Sequence, residues 1–421
     1  MNYIRQTFIF FLLFLSVGSY AQSRDWFIDS LIHQISVESY RRHFDSLCTN
    51  VRSSRRVVAS EVQSADHDAC RNYIFRSFQN YFGVDNAYLH KFDLDEEKGL
   101  ANVIGYKEGT SPWKGIIIIS AHYDSNNNLD HNMLYSSPSP GANDNGTGLA
   151  AILEIARVLS GIETEHSVLL AAWDAEEFFT DFKPTGSNRW LIEKVTRRKP
   201  TEWQTIGKGG KIMIEDIRLN INFDMFGNPL DSLEGKPLLW VCSGNSSHKS
   251  FLDDYVAVFE KFVPDISAIN YGKLISSDHY TFASRNIPSV ENLESNYNSD
   301  PFYHTVFDNL QNADNIDFNF ATNVSRGGLA FTLEKVGLCL PSLVPLEINA
   351  DEVFLSKRDG YYCLKTNFAE STVKVYDYSG EKVKVSKNGA EYCIYPEREG
   401  YFFIYVSDFY RNTSKAIYFE K

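Results

Sequence analysis

Six side chains have the types from which metal-assisted hydrolysis is built: His122, Asp144, Glu176, Glu177, Asp224 and His304. Imidazole nitrogens and carboxylate oxygens bind zinc, and a carboxylate left unligated beside them can carry a proton. His122 follows the apolar run 115–120, and Asp124 lies two residues on. On extended backbone the two point to the same side, so Asp124 can accept the far ring N–H of a ligating His122 and fix its tautomer. Asp144 stands in the turn Gly141-Ala142-Asn143-Asp144-Asn145-Gly146-Thr147-Gly148, which runs into a helical pattern. The glycines let backbone pass close to an ion, although a capping Asp in a Gly-rich turn would look the same. Glu176 and Glu177 follow the run 166–173. Adjacent carboxylates off a strand end point in different directions, so one can ligate while its neighbour moves a proton; a solvated acidic turn is the alternative. Asp224 ends the run 217–223, where a buried carboxylate needs a partner and a cation is the simplest. Ser277-Asp278-His279 and Tyr303-His304-Thr305 complete the set.

The elements that must position these groups have a readable period. Residues 115–120, 166–173, 217–223 and 237–242 are short, near-continuous apolar runs, as strands covered on both faces are. Between them lie amphipathic patterns: Leu149, Ile152, Leu153, Ala156 and Leu159, then Phe251, Tyr255, Val258, Phe259 and Phe262. The alternation predicts an α/β fold, a mixed, centrally parallel sheet flanked by helices on both faces. Functional groups of such a sheet gather beyond the carboxyl ends of its strands, where the six residues fall. Residues 22–100 read as mostly helical, with Ile74, Phe75, Phe78, Tyr81 and Phe82 on one face before Gly83, inside a domain spanning 22–345. From 346 to 421 short Tyr-, Val- and Phe-rich strands separated by turns such as Ser379-Gly380 and Asn388-Gly389 predict a small C-terminal β-sandwich.

Composition excludes several classes. With 421 residues, 43% hydrophobic and 14% aromatic, the chain is neither disordered nor fibrous. Its 41 basic against 54 acidic residues leave a net charge of −13, and Arg55-Arg56 and Arg197-Arg198-Lys199 are too short to make a basic face, so nucleic acid is not expected as a partner. Arg5, the apolar run Phe8 to Val17 and the small residues Ser19 and Ala21 read as an export signal over residues 1–21, cleaved before Gln22, which leaves no stable membrane span and a secreted, periplasmic or cell-surface protein. The six cysteines include no CxxC, and in an exported chain local spacing favours Cys48 with Cys70 and Cys363 with Cys393 as disulfides. The sequence has neither the HExxH of single-zinc helix-borne proteases nor the GxSxG of serine hydrolases.

Taken in order, His122, Asp144, Glu176-Glu177, Asp224 and His304 resemble the M28 family of zinc peptidases over about residues 52 to 314. The resemblance implies an aminopeptidase acting on peptides with a free N-terminus through two Zn²⁺ per chain. Asp144 would bridge the ions, His122 and Asp224 would complete one, Glu177 and His304 the other, and Glu176 would be the general base. It also implies a cis peptide between Asp144 and Asn145. Three ligand carboxylates against two divalent ions leave one positive charge, which a bridging hydroxide would neutralise; that hydroxide would be the nucleophile. The runner-up is a single-zinc glutaminyl cyclase forming N-terminal pyroglutamate, which shares this fold and most of these residues. The long stretch Phe178 to Thr185 and Val306 after His304-Thr305 fit it, whereas the GANDNGTG turn, Ser277-Asp278-His279 and Tyr303 fit the peptidase. A silent binding module would need a lost ligand or base, and none is missing. The C-terminal strands, from Val373 to Gly380 and from Gly400 through Val406 to Ile417, resemble a type IX secretion sorting domain, which implies secretion machinery as a partner.

Overall fold

A computed structural model of the chain describes residues 24–48, 65–94, 97–126, 140–177, 179–180, 183–197, 206–312 and 316–338, and in the C-terminal segment 353–358, 361–366, 372–377, 383–388, 391–395, 400–407 and 412–419. The expected export signal over 1–21 and the start of the family resemblance near residue 52 lie outside these. The chain divides into a large unit, Leu31–Leu338, and a second that carries Cys339–Lys421.

The large unit is built on one sheet. Its strands are β1 (Ala87–Leu94), β2 (Glu97–Lys107), β3 (Ile116–His122), β4 (Ser167–Trp173), β5 (Ile217–Phe223), β6 (Ser232–Leu233), β7 (Lys236–Ser243), β8 (Ser267–Lys273) and β9 (Ser289–Glu294). They run β1-β2-β4-β3-β5-β9-β7, with β8 and the short β6 both on β7. The central pairs β4·β3, β3·β5 and β5·β9 are parallel, while β1·β2, β2·β4 and β9·β7 are antiparallel. β3 and β4 are buried at every position, as their unbroken apolar runs require.

Helices cover both faces. On one, α1 (Val37–Cys48), α2 (Ala65–Phe82), α3 (Gly148–Ser160), α5 (Lys249–Phe262) and α7 (Phe318–Lys335) pack on one another and on the sheet; on the other lie α4 (Thr185–Lys194) and α6 (His279–Ala283). The second face closes over a cluster that includes Ile118, Leu169, Trp173, Trp190 and Phe282. Among the described residues no helix is long and apolar enough to cross a membrane.

The described part of 22–100 is mostly helical, but its end is not: after α2 it turns at Gly83 and forms β1 and the start of β2, the antiparallel border of the sheet. In β1, His90 and Phe92 are buried while Lys91 and Asp93 are exposed. That period of two is carried partly by a histidine, which apolar counting passes over.

The C-terminal unit has the sandwich form. One sheet orders β10 (Val353–Arg358), β11 (Tyr361–Thr366), β14 (Glu391–Ile394) and β13 (Val385–Asn388); the other orders β12 (Thr372–Asp377), β15 (Gly400–Ser407) and β16 (Asn412–Phe419). Tyr362, Leu364, Tyr392 and Ile394 of the first pack with Val373 and Val375 of the second. Cys363 and Cys393 are directly opposite on β11 and β14. Among the described residues neither Cys363 with Cys393 nor Cys48 with Cys70 forms the expected disulfide.

A buried polar knot joins α1 and α2 to α3, the helix that begins just after Asp144. His43 meets the hydroxyls of Tyr73 at 2.9 Å and Tyr81 at 3.0 Å, with Glu154 at 3.5 Å and Arg157 and Arg42 nearby. Burial outweighs the attraction of Glu154 and lowers the His43 pKa to about 4. A depressed folded pKa keeps the ring neutral while the unfolded ring gains its proton below about 6.5, so stability falls as pH drops from there toward 4. Urea unfolding is expected to show about 3 kcal/mol lost over that interval from this group. His43→Gln should remove that component of the slope.

Candidate metal centre

The carboxyl ends of three adjacent parallel strands explain why distant residues meet. In the order β4-β3-β5, His122 closes the middle strand, Asp224 follows β5 on one side, and Glu176 and Glu177 follow β4 on the other. Strands stand about 4.8 Å apart, so side chains from neighbouring ends reach one centre. Asp144 comes from the turn Ala142–Thr147 leading into α3, and His304 from the loop after β9.

All six converge. His122 Nε2 lies 3.1 Å from Asp224 Oδ1 and 3.2 Å from Asp144 Oδ1. His304 Nε2 lies 3.0 Å from Asp144 Oδ2 and 3.0 Å from Glu177 Oε1. Asp144 thus turns one oxygen to each imidazole. Two sets of donors result, His122–Asp144–Asp224 and Asp144–Glu177–His304, each with its atoms within 4.8 Å of one another. His122, Glu176 and Glu177 form a third such grouping. Hard oxygen and imidazole donors packed this closely suit zinc ions, and the shared carboxylate suits a pair of them.

The local backbone is built to hold this geometry. The Asp124 carboxylate is near His122, as the sequence suggested, but it is not the closest acceptor. The ring Nδ1 lies 3.1 Å from the Asp124 main-chain oxygen and 3.6 Å from the carboxylate, so the carbonyl is the nearer acceptor. The Asp124 carboxylate instead accepts the backbone N–H groups of Glu176 at 2.9 Å and Glu177 at 3.0 Å, clamping the end of β4 to the end of β3. Sequence spacing could not show this, because the donors are main-chain groups 52 and 53 residues away.

The Asp144 turn is held the same way. Asp308, unremarked in the sequence, accepts the N–H groups of Asn143 at 2.7 Å and Asp144 at 3.0 Å. The Asp144–Asn145 peptide is cis. Asn145 donates to the carbonyl of Phe223 and accepts from Gly148 N, tying the turn to the end of β5. A Cβ at Gly148 would stand 2.3 Å from Asn145 Oδ1 and 2.5 Å from Phe223 O, so only glycine lets α3 start there.

The electrostatics are those of acids crowded out of water. Burial raises Glu177, and the charge of Asp144 adds to it, to a pKa of about 7. Burial likewise pushes Glu176 well above the carboxylate range; His122 opposes this, while Asp224, Glu177 and Asp278 reinforce it. Burial would lower His122 and His304, but the surrounding carboxylates overrule it, holding His122 well above its ordinary value and His304 up to about 11. Asp144 is the exception: the two imidazoles beside it hold it well below normal despite its burial. Asp278, which the sequence paired with the site, is fully buried behind it and raised to about 8 by that burial. His279 turns away, its Nε2 2.9 Å from the carbonyl of Leu274.

A cavity of ≈ 350 Å³ opens on the centre, lined by Asp144, Glu176, Glu177, Asp224 and His304 and also by Asn126, Met225, Ser276, Glu291, Leu293, Tyr297 and Tyr303. Tyr303 stacks on the His304 ring at 3.8 Å.

Comparisons with known proteins identify a family and a shared fold. The model of peptidase family M28 matches residues 102–326. The aminopeptidase YwaD of Bacillus subtilis is 28% identical over 217 residues, covering 50% of this chain and 40% of that protein, so the chain spans well under two thirds of this relative's length. The LapA aminopeptidase of Legionella pneumophila shares the fold at a TM-score of 0.56 and 16% identity, over 74% of each chain. A glutaminyl cyclase of Porphyromonas gingivalis shares it at 0.53 and 20%, over 72% of this chain and 99% of that one.

The Asp124 clamp has a measurable consequence. In Asp124→Asn one of the two backbone N–H groups loses its acceptor, and zinc affinity, read by competition with a chromophoric chelator, is expected to fall about 10- to 100-fold. Asp144→Ala should remove binding at both donor sets.

Proposed function

The chain belongs to peptidase family M28, and from that premise we propose that it is a zinc-dependent aminopeptidase, with two zinc ions per chain, that removes N-terminal residues from peptides. The observation that carries this reading is the division of one carboxylate between two imidazoles. Asp144 Oδ1 faces His122 and Oδ2 faces His304, and each imidazole is backed by a further carboxylate, Asp224 or Glu177. Zinc held by these two sets would polarise the scissile carbonyl and acidify a water between them.

Glu176 is the carboxylate that this assignment leaves for proton transfer. It is buried, and its Oε1 has no hydrogen-bond partner among the described residues. A carboxyl so placed takes a proton from the attacking water and returns it to the leaving amine. Asp124 fixes the backbone of Glu176 and Glu177 and does not itself reach the cavity, so it is a positioning residue. The acidic lining favours the ammonium group of a free N-terminus. The same reading has the chain exported by residues 1–21, where Arg5 precedes an apolar run, and the C-terminal β-sandwich acting as its secretion sorting module.

Metal analysis of the purified protein is expected to find two zincs per chain. Glu176→Gln should keep both while lowering kcat on unblocked aminoacyl amides about 10²- to 10⁴-fold. N-acetylation of the substrate should abolish cleavage; equal rates would sink the aminopeptidase assignment. One zinc per chain, with cyclisation of N-terminal glutamine and no amino-acid release, would identify the cyclase instead.

A further inference from the structure

One carboxylate in the cavity has no place in the chemistry above. Glu291 lies within β9, not at its end, and is 1% exposed although it lines the cavity. Neither of its oxygens has a hydrogen-bond partner among the described residues. His279 Nδ1 stands 3.0 Å from Oε2 but out of line for a hydrogen bond. With Nε2 facing the Leu274 carbonyl, the ring hydrogen of a neutral His279 belongs on Nε2, and Nδ1 offers Glu291 a lone pair and not a donor. Apart from the nearby Ser277 hydroxyl, the protein offers this buried, cavity-facing carboxylate no donor, and such a group is built to meet a cation from outside.

The surroundings narrow the kind of cation. Leu293 lies two residues along the same strand and so on the same side as Glu291. Leu293, Met225 and Tyr297 line the cavity with it, and Tyr297 packs edge-on to Tyr303 at 5.8 Å. Apolar and aromatic walls with a carboxylate among them match a side chain with an alkyl stem and a charged head. We infer that Glu291 makes the pocket select peptides whose N-terminal residue is cationic, arginine or lysine. The inference rests on the aminopeptidase reading and names its substrate class. Glu291 would pair with the guanidinium or ammonium group while the α-amine and scissile carbonyl lie at the metal centre.

The test uses the zinc-loaded full chain and aminoacyl coumarin amides in pairs of similar size that differ in charge, arginine against citrulline and lysine against norleucine, with leucine and glutamine alongside. Wild type is expected to prefer the charged member about 10- to 100-fold in kcat/KM, the weight of a charge-assisted hydrogen bond. In Glu291→Gln both ratios should fall to within about threefold; a ratio measured in one preparation does not depend on how much of it is folded. Equal rates within the pairs for wild type, a preference for leucine or glutamine over arginine and lysine, or ratios that survive Glu291→Gln would overturn the assignment while leaving aminopeptidase activity standing. No release from any unblocked amide would remove the aminopeptidase reading, and this inference with it.

Discussion

The site exists because positive charge must come to a crowd of buried acids. Two like charges about 4 Å apart repel by about 4 kcal/mol at the effective dielectric of a protein surface, and burial adds to that. With the chain alone, protons supply the compensation: His122 and His304 are held protonated, and Glu177 keeps its proton up to about pH 7. A metal ion entering the site therefore displaces protons, and its affinity must climb with pH through the neutral range. The donors that hold protons in one state are those that hold cations in the other, which is why the cluster can be this tight in either.

Keeping such a cluster in place falls to groups that never touch the cavity. Asp124 and Asp308 both spend carboxylates on main-chain N–H groups, the first fixing Glu176 and Glu177, the second fixing Asn143 and Asp144. Asp174 repeats the device one strand end away, accepting from Ala101 N and facing His67 at 2.8 Å. Charge-assisted hydrogen bonds of this type are about twice as strong as neutral ones, and each joins segments distant in sequence. Ligand positions thus stand on a lattice of acid-to-backbone ties and not on helix or strand geometry alone.

Much of this was legible in the residue pattern, for a reason particular to parallel sheets. Strands buried on both faces are largely apolar, so β3, β4 and β5 announced themselves and marked the positions just beyond them as chemical. Other features were hidden by the same rule. β1 carries His90 on its buried side, and β5 carries Asn220 and Asn222, which are buried because Ser289, Ser120 and Ser277 satisfy them. A search of strand ends also passes over Glu291, since its place in the cavity depends on how β9 lies between β5 and β7. Asp308 escaped because its partners are backbone groups, and the backbone of a distant turn leaves no mark on the spacing of side chains.

The charge balance of the cavity joins the metal centre to the substrate. Five carboxylates line it: Asp144, Glu176, Glu177, Asp224 and Glu291. If the centre holds two divalent ions as proposed, their four positive charges leave one negative charge there when all five ionise, before any bridging hydroxide is counted, with Asp278 buried just behind. An M28 fold that needed only to bind and activate water has no use for that surplus. It must be met by protons or by the substrate, and a peptide N-terminus arrives with one positive charge, or two when its first side chain is basic. In the proposed function Glu176 would answer the first need by taking a proton during turnover, whereas Glu291, within its strand and facing a lone pair, would be left to the second.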